Sequence, residues 1–271
     1  MGVEFVLIAI LATCDAAAMA VVAKAAARAE AFDLAGALEI VRGAGDCDEA
    51  AGAAEYLEGL AGARDAVAQG GTVDSLREVR SATNALSRRS EEGGRRWEAA
   101  SLALRAVAAA SQSERGEMAI YLAEAMRVER MLLDAGLPGA PFVTVHELAG
   151  DLWLQVHQFE DARAAYLRAA QVVGPTPRSR LGLARVAERL GDVPTACAEY
   201  RALVAWWESA PRAGTPPEIA GARGRLDELN CRPDAARAGA QGLRASRSGG
   251  QGSNPSRAVT RDRCPLRCSG P

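Results

Sequence analysis

The chain has 271 residues, 49% of them hydrophobic and only 4% aromatic, with a formal net charge of −2. That length admits one or two domains. Alanine occurs 59 times, so the core has little bulk and suits close-packed helices, and no stretch alternates convincingly as a strand would. The expected class is all-α. There is one lysine, Lys24, against 31 arginines. From Cys231 onward there are eight Arg and two acids, so the tail carries about +6 and residues 1–230 about −8. An acidic body argues against nucleic acid as the main partner.

Phe5 to Thr13 is a short apolar run, too short to span a bilayer. It reads either as the core of a secretory signal or as a buried first helix that caps a helical array. Nothing basic precedes it and Glu4 is acidic, which departs from the usual signal n-region. Leu11-Ala-Thr-Cys14 resembles a bacterial lipobox with Thr where a smaller residue is usual. Membrane attachment is expected only if Cys14 carries a lipid. Residues 1–20 are set apart on these grounds.

From Ala16 to Gln69 the pattern predicts helix, turn, helix. Lys24 to Glu30 is helical and exposed, and Phe32-Asp33 restarts a helix that ends near Gly43 and Gly45. Asp46 and Glu49 mimic a capping box before a helix through Tyr56, Leu57 and Leu60. Gly70-Gly71 breaks it. Ser75 to Arg88 is another amphipathic helix, and Ser90 to Arg96 the best internal loop. Trp97 to Ala110 and Glu114 to Ala135 form the next pair, with Ser111 and Glu114 as a cap. Leu137 to Pro141 then introduces a new stretch. Residues 21–141 read as degenerate helical hairpins of one solenoid, because two repeats alone would leave both faces bare.

Residues 143–210 match themselves at a spacing of 34. Ala149 falls over Leu183, Gly150 over Ala184, Ala162 over Ala196, Tyr166 over Tyr200 and Ala169 over Leu203. In each copy the second half carries a helical stripe: Ala162, Tyr166, Ala169, Val173, and Ala196, Tyr200, Leu203, Trp207. The first halves do the same with Ala149, Leu152, Trp153, Val156 and with Leu183, Val186, Ala187, Leu190. Gly150 and Ala184 sit where helices must approach closely. Thr144 with Glu147 forms a capping box, Thr176-Pro177 an N-cap followed by Pro, and Gly191-Asp192 a turn. Thr215 to Glu218 repeats the capping box before a helix of about residues 216–229, which would cap the array over 211–230. Residues 231–271 lack periodicity and are rich in Gly, Ser, Arg and Pro, so the tail is expected to be disordered.

These residues resemble the tetratricopeptide repeat family. Gly150, Trp153, Phe159, Ala162, Tyr166 and Ala169 fill its consensus places in the first copy, and Leu183, Ala184, Gly191, Ala196 and Tyr200 do so in the second. The departures are His157 where a turn Gly is usual and Gly174-Pro175 where a single Pro is usual. The resemblance spans 142–210, about a quarter of the chain, and implies an α-solenoid of antiparallel helix pairs. It also implies a concave groove, lined by the first helix of each pair, that holds an extended peptide or a helix. The groove places are then Thr144, Glu147, Asp151 and Gln155 in one unit and Arg178, Leu181, Arg185 and Arg189 in the next. By spacing, Arg178, Arg185 and Arg189 form one stripe, and Glu147, Asp151 and Gln155 another. An acidic wall facing a basic wall would orient a segment of mixed charge. The family's chaperone-tail clamp needs Lys and Asn at places held here by Glu, Leu and Asp, which argues against that partner.

Motifs for chemistry are sparse. His146 and His157 are the only histidines; on one continuous helix they would stand ~16 Å apart, beyond the reach of one metal. His146-Glu-Leu-Ala-Gly150 lacks the second His of a zinc-protease helix, so His146 reads as a solvated helix residue. Gly43-Ala-Gly45 lacks a preceding strand, and Asp48 stands where a third Gly belongs. Cys264 and Cys268 have no ligand cluster around them. Glu91, Glu92, Arg95 and Arg96 read as a solvated loop. No cofactor and no catalytic residue is expected.

The leading expectation is a non-enzymatic scaffold for an unknown protein or peptide. The alternatives are an exported or lipid-anchored protein of a bacterial envelope acting in assembly or secretion, an enzyme with an unrecognised site, and nucleic-acid binding by the tail. Cysteine placement bears on export. Cys197 and Cys231 are equidistant from a turn near residue 214, and Cys14 and Cys47 bracket one near 30–33. Residues equidistant from the turn of a helical hairpin lie side by side. The pairs Cys14–Cys47 and Cys197–Cys231 are therefore candidate disulfides, which would persist in an oxidising compartment. Four buried free thiols in a cytosolic solenoid is the other reading, and a cytoplasmic location is the slightly favoured one.

Overall fold

The structure is a computed structural model that describes residues 16–44, 47–68, 76–92, 94–209 and 214–231. The described residues form eleven α-helices and no strand. They are α1 (Ala16–Glu30), α2 (Leu34–Arg42), α3 (Asp48–Ala68), α4 (Arg77–Glu91), α5 (Arg95–Ser111), α6 (Arg115–Asp134), α7 (Val145–Gln155), α8 (Phe159–Val173), α9 (Pro177–Arg189), α10 (Val193–Glu208) and α11 (Pro217–Glu228). The apolar N-terminal segment (1–15) and the tail (232–271) lie outside the described residues, as do the lipobox resemblance at 11–14, Asp46 and Gly70-Gly71.

Every helix packs on the next in sequence. Beyond those pairs, α1 packs on α3, α3 on α5, α5 on α7 and α7 on α9. Odd helices therefore make one continuous layer and even helices lie outside it, a solenoid-like stack of hairpins. The core is made mostly of Ala, Leu and Val: Ala99, Ala100, Ala103 and Ala106 of α5 are all fully buried. Small side chains on facing helices allow short interaxial distances, which is how a chain so poor in aromatics still packs.

The corners share a bond pattern. In six of them the N–H of a residue just past the helix bonds the carbonyl three back, and the next N–H bonds the carbonyl five back. Those residues are Phe32, Ser113, Gly136, His157, Gly191 and Asn230. Each adopts positive φ, from 51° at Asn230 to 75° at Gly191. This is the Schellman termination, which satisfies carbonyls left open at a helix end. His157, at φ 61°, makes the same turn as Gly191, 34 residues later.

The starts of the later helices reflect local chemistry. Thr144 accepts from the Glu147 N–H while Glu147 reaches back to the Thr144 N–H. Thr176 makes the equivalent box with Ser179, with Pro at the first position of α9, and Asp192 accepts from the Thr195 N–H. Three local expectations are corrected. Ser111 does not cap α6; it closes α5, and its hydroxyl donates to the Val107 carbonyl. Pro216, not Thr215, is the N-cap of α11, without a side-chain bond. Arg95 and Arg96 are not a solvated loop but open α5: Arg96 pairs with Glu49, stacks 4.9 Å over Trp97, and burial pushes its pKa down to about 10.

Along the paired stripes Ala162, Tyr166, Ala169, Ala196, Tyr200, Leu203 and Trp207 are buried, whereas Val173 and Leu190, at helix ends, are exposed. Cys197 on α10 and Cys231 just past α11 are joined by a disulfide with Cα atoms 5.6 Å apart. Cys47 is also disulfide-bonded; Cys14, the partner suggested by its spacing, lies outside the described residues.

Candidate functional site

The odd helices wall a channel. Leu60 of α3, Val107 of α5, Leu148 and Leu152 of α7 and Leu181 of α9 line a cavity of about 410 Å³. Beyond it a second cavity, about 640 Å³, lies among α7, α9 and α11, where Gln155, Arg185, Arg189 and Arg225 reach its wall. An apolar floor with a few polar groups at one end is the usual make-up of a binding surface.

The eight residues expected to line a groove separate into two groups. Glu147 is buried: besides capping α7 it accepts from the Thr176 hydroxyl, the N-cap of α9. It thus ties the starts of two successive odd helices together. Thr144 is taken up by the same box. Asp151 accepts from the Tyr166 hydroxyl at 2.5 Å and from Arg178, whose Nε lies 3.0 Å away. Burial works against the Arg178 charge, but Asp151 outweighs it and leaves the guanidinium pKa above its ordinary value. Asp151 and Arg178 therefore neutralise each other, so no acidic wall faces a basic one. Leu181 is buried at the channel floor. Gln155, Arg185 and Arg189 are exposed and line the larger cavity. Arg185 and Arg189 have no ion-pair or hydrogen-bond partner among the described residues.

Three further groups shape this region, and only one was marked by a sequence signal. Tyr166, matched with Tyr200 by the repeat, is fully buried, and its ring lies against Gly150 and Gly182. Burial and then Asp151 raise its phenol pKa, so the hydroxyl stays protonated and donates. Glu188 of α9 accepts from Arg225 of α11 at 2.6 Å, with the Tyr200 hydroxyl also favouring its charge. Burial disfavours its charge, yet Arg225 and Tyr200 prevail and its pKa is lowered. Glu129 of α6 is buried and accepts from the Ala140 and Val145 N–H groups and from His146 Nδ1, 3.0 Å away. His146 is accordingly a buried, paired residue and not a solvated one. A carboxylate at the start of α7 suits the partial positive charge there. His157 lies past the end of α7, so the two histidines do not share a helix.

Among the described residues no group of three or more His, Cys, Asp or Glu could hold a metal ion, and no helix is long and apolar enough to cross a membrane. Comparison with protein families, with curated proteins and with solved structures gives no match to this chain.

Proposed function

We propose that the chain is a non-enzymatic interaction module of the tetratricopeptide-repeat type, whose channel holds an extended peptide or a helix from another protein. The observation that carries this reading is the exposed, unpartnered pair Arg185 and Arg189 at the mouth of an apolar channel walled by odd helices. Exposed charges outside any ion pair cost little to leave solvated and are available to a partner. The repeat spacing and the shared corners support the family assignment. Replacing Arg185 and Arg189 together with Glu should abolish capture of partners by the full-length chain from a lysate of its source, with helix content unchanged by circular dichroism. An unchanged partner set would reduce both side chains to solvated surface.

A second reading concerns the compartment. The Cys197–Cys231 bond and the bonded Cys47 favour an oxidising environment, and with it an exported protein of a bacterial envelope. Thiol counting on protein taken from its native compartment tests this: a full count of free thiols ends it.

A further inference from the structure

The corner between α1 and α2 differs from the other corners of the stack. Ser113, Gly136, His157, Gly191 and Asn230 hold the same left-handed position and are exposed, as small or polar residues at a solvated turn should be. Phe32 holds it with an aromatic ring, at φ 65°, and is half-buried. A bulky residue there is a backbone outlier, and outliers of this kind persist where something else holds them. What holds Phe32 lies about 150 residues further along the chain: with Ala31 it packs on the cluster of α9, α10 and α11 that includes Leu181, Ala184 and Ile219.

Phe32 and Leu34 also line the apolar cavity, with Leu60, Leu152, Leu181 and Arg185. Asp33 accepts from the Gly36 N–H to cap α2 and pairs with Arg28 at 3.0 Å. What the corner supplies to the cavity is an apolar ring and no charge, while Arg185 and Arg189 stand outside any ion pair among the described residues. Of the acids of α9 and α11 that line the larger cavity, Glu188 and Glu228 are held by Arg225, and Glu218 lines both cavities with Arg185 without forming an ion pair to it.

We propose that the Ala31–Phe32 corner is the channel's internal occupant, and that it stands in for an acidic partner segment presenting one aromatic side chain. This rests on the reading of the channel as a binding surface. Such a segment matches the ring site and adds carboxylates for Arg185 and Arg189, so it displaces the corner by doing more than the corner does. The corner in turn keeps apolar ligands of no charge out of the channel.

The test uses the full-length chain with its disulfides intact. The probe is a fluorescent twelve-residue peptide with one Phe flanked by Asp and Glu. Phe32→Gly removes the ring while suiting the left-handed backbone, and Phe32→Asn serves in its place if helix content falls. By anisotropy, the variant should bind the peptide at least tenfold more tightly than wild type. Binding should vanish for the peptide's Phe→Ala form and when Arg185→Glu and Arg189→Glu are added. Equal binding by wild type and variant overturns the internal occupant and leaves the channel as a peptide site. Absence of binding by both overturns the acidic aromatic partner and, with it, counts against the channel as a peptide site.

Discussion

Tyr166 fills a slot that exists only because two glycines lack side chains. A Cβ on Gly150 would come within 2.6 Å of its ring, and one on Gly182 would come closer still. Replacing Tyr166 by Ala should destabilise the protein by about 3–5 kcal/mol, from lost transfer energy plus the cavity left behind. Tyr166→Phe keeps the volume and leaves Asp151 short of a donor, so about 1–2 kcal/mol is expected. Urea unfolding followed by circular dichroism checks both, and a cost under about 1 kcal/mol for the alanine variant would mean the ring does not key the helices together. The repeat made Gly150 and Tyr166 legible, and with them Ala184, fully buried in the cluster of Tyr200; Gly182 carried no repeat signal. A 34-residue register matches equivalent places, whereas packing joins neighbouring hairpins, so the glycine that meets Tyr166 comes from the next odd helix at a different register. The burial of His146 and Glu147 was illegible for a similar reason: only the tertiary approach of Glu129 and Thr176 turns those polar side chains inward.

α11 is held by buried Ile219 and Ala222, by Arg225 with Glu188 and Glu228, by Arg223 with Glu208, and by the disulfide just past its end. Glu188 has its pKa lowered in the folded state, so its contribution is present above the unfolded carboxylate value of about 4.3 and is lost as pH falls through the folded value. The melting temperature should therefore drop on acidification from about pH 5 to 3, and the Glu188→Gln variant should drop less over that window. A Gln variant with the same acid slope would show that Glu188 does not set it. At this scale α7, α9 and α10 were readable from the Thr144–Glu147 box, the Thr176-Pro177 start and the Gly191-Asp192 turn. The start of α5 was not, because Gly94 supplies no side-chain cap bond, whereas α6 opens at Glu114 as its spacing indicated. The α6–α7 connection is fixed by buried Glu129, a residue that no local pattern marks.

Across the whole molecule, nearly all the packing is between neighbours, and such contacts are visible in a sequence as periodicity. The Phe32 corner stands apart from that rule, as does the buried Tyr56 hydroxyl, which donates to the Val143 carbonyl 87 residues on. Cys197 and Cys231 are separated by 34 residues, so their bond should contribute about 3–4 kcal/mol by restricting the unfolded chain. The double Cys197→Ser, Cys231→Ser variant should show that loss in denaturant titrations, and an unchanged midpoint would mean the bond constrains nothing. The cysteine pair was legible because equal distances from a turn are a one-dimensional fact. The corner's docking on α9 to α11 was not, since curvature accumulated over several hairpins brings those segments together. That docking has a mechanical meaning. A stack of hairpins yields a little at each joint and so lengthens under load like a coil spring, whereas a strut between early and late turns shunts the first part of that load. A pull applied at Ala16 and Cys231 would meet the Phe32 strut before any helix is strained. Extension would begin with a single small release at the strut, followed by a long compliant stretch in which the helices stay whole.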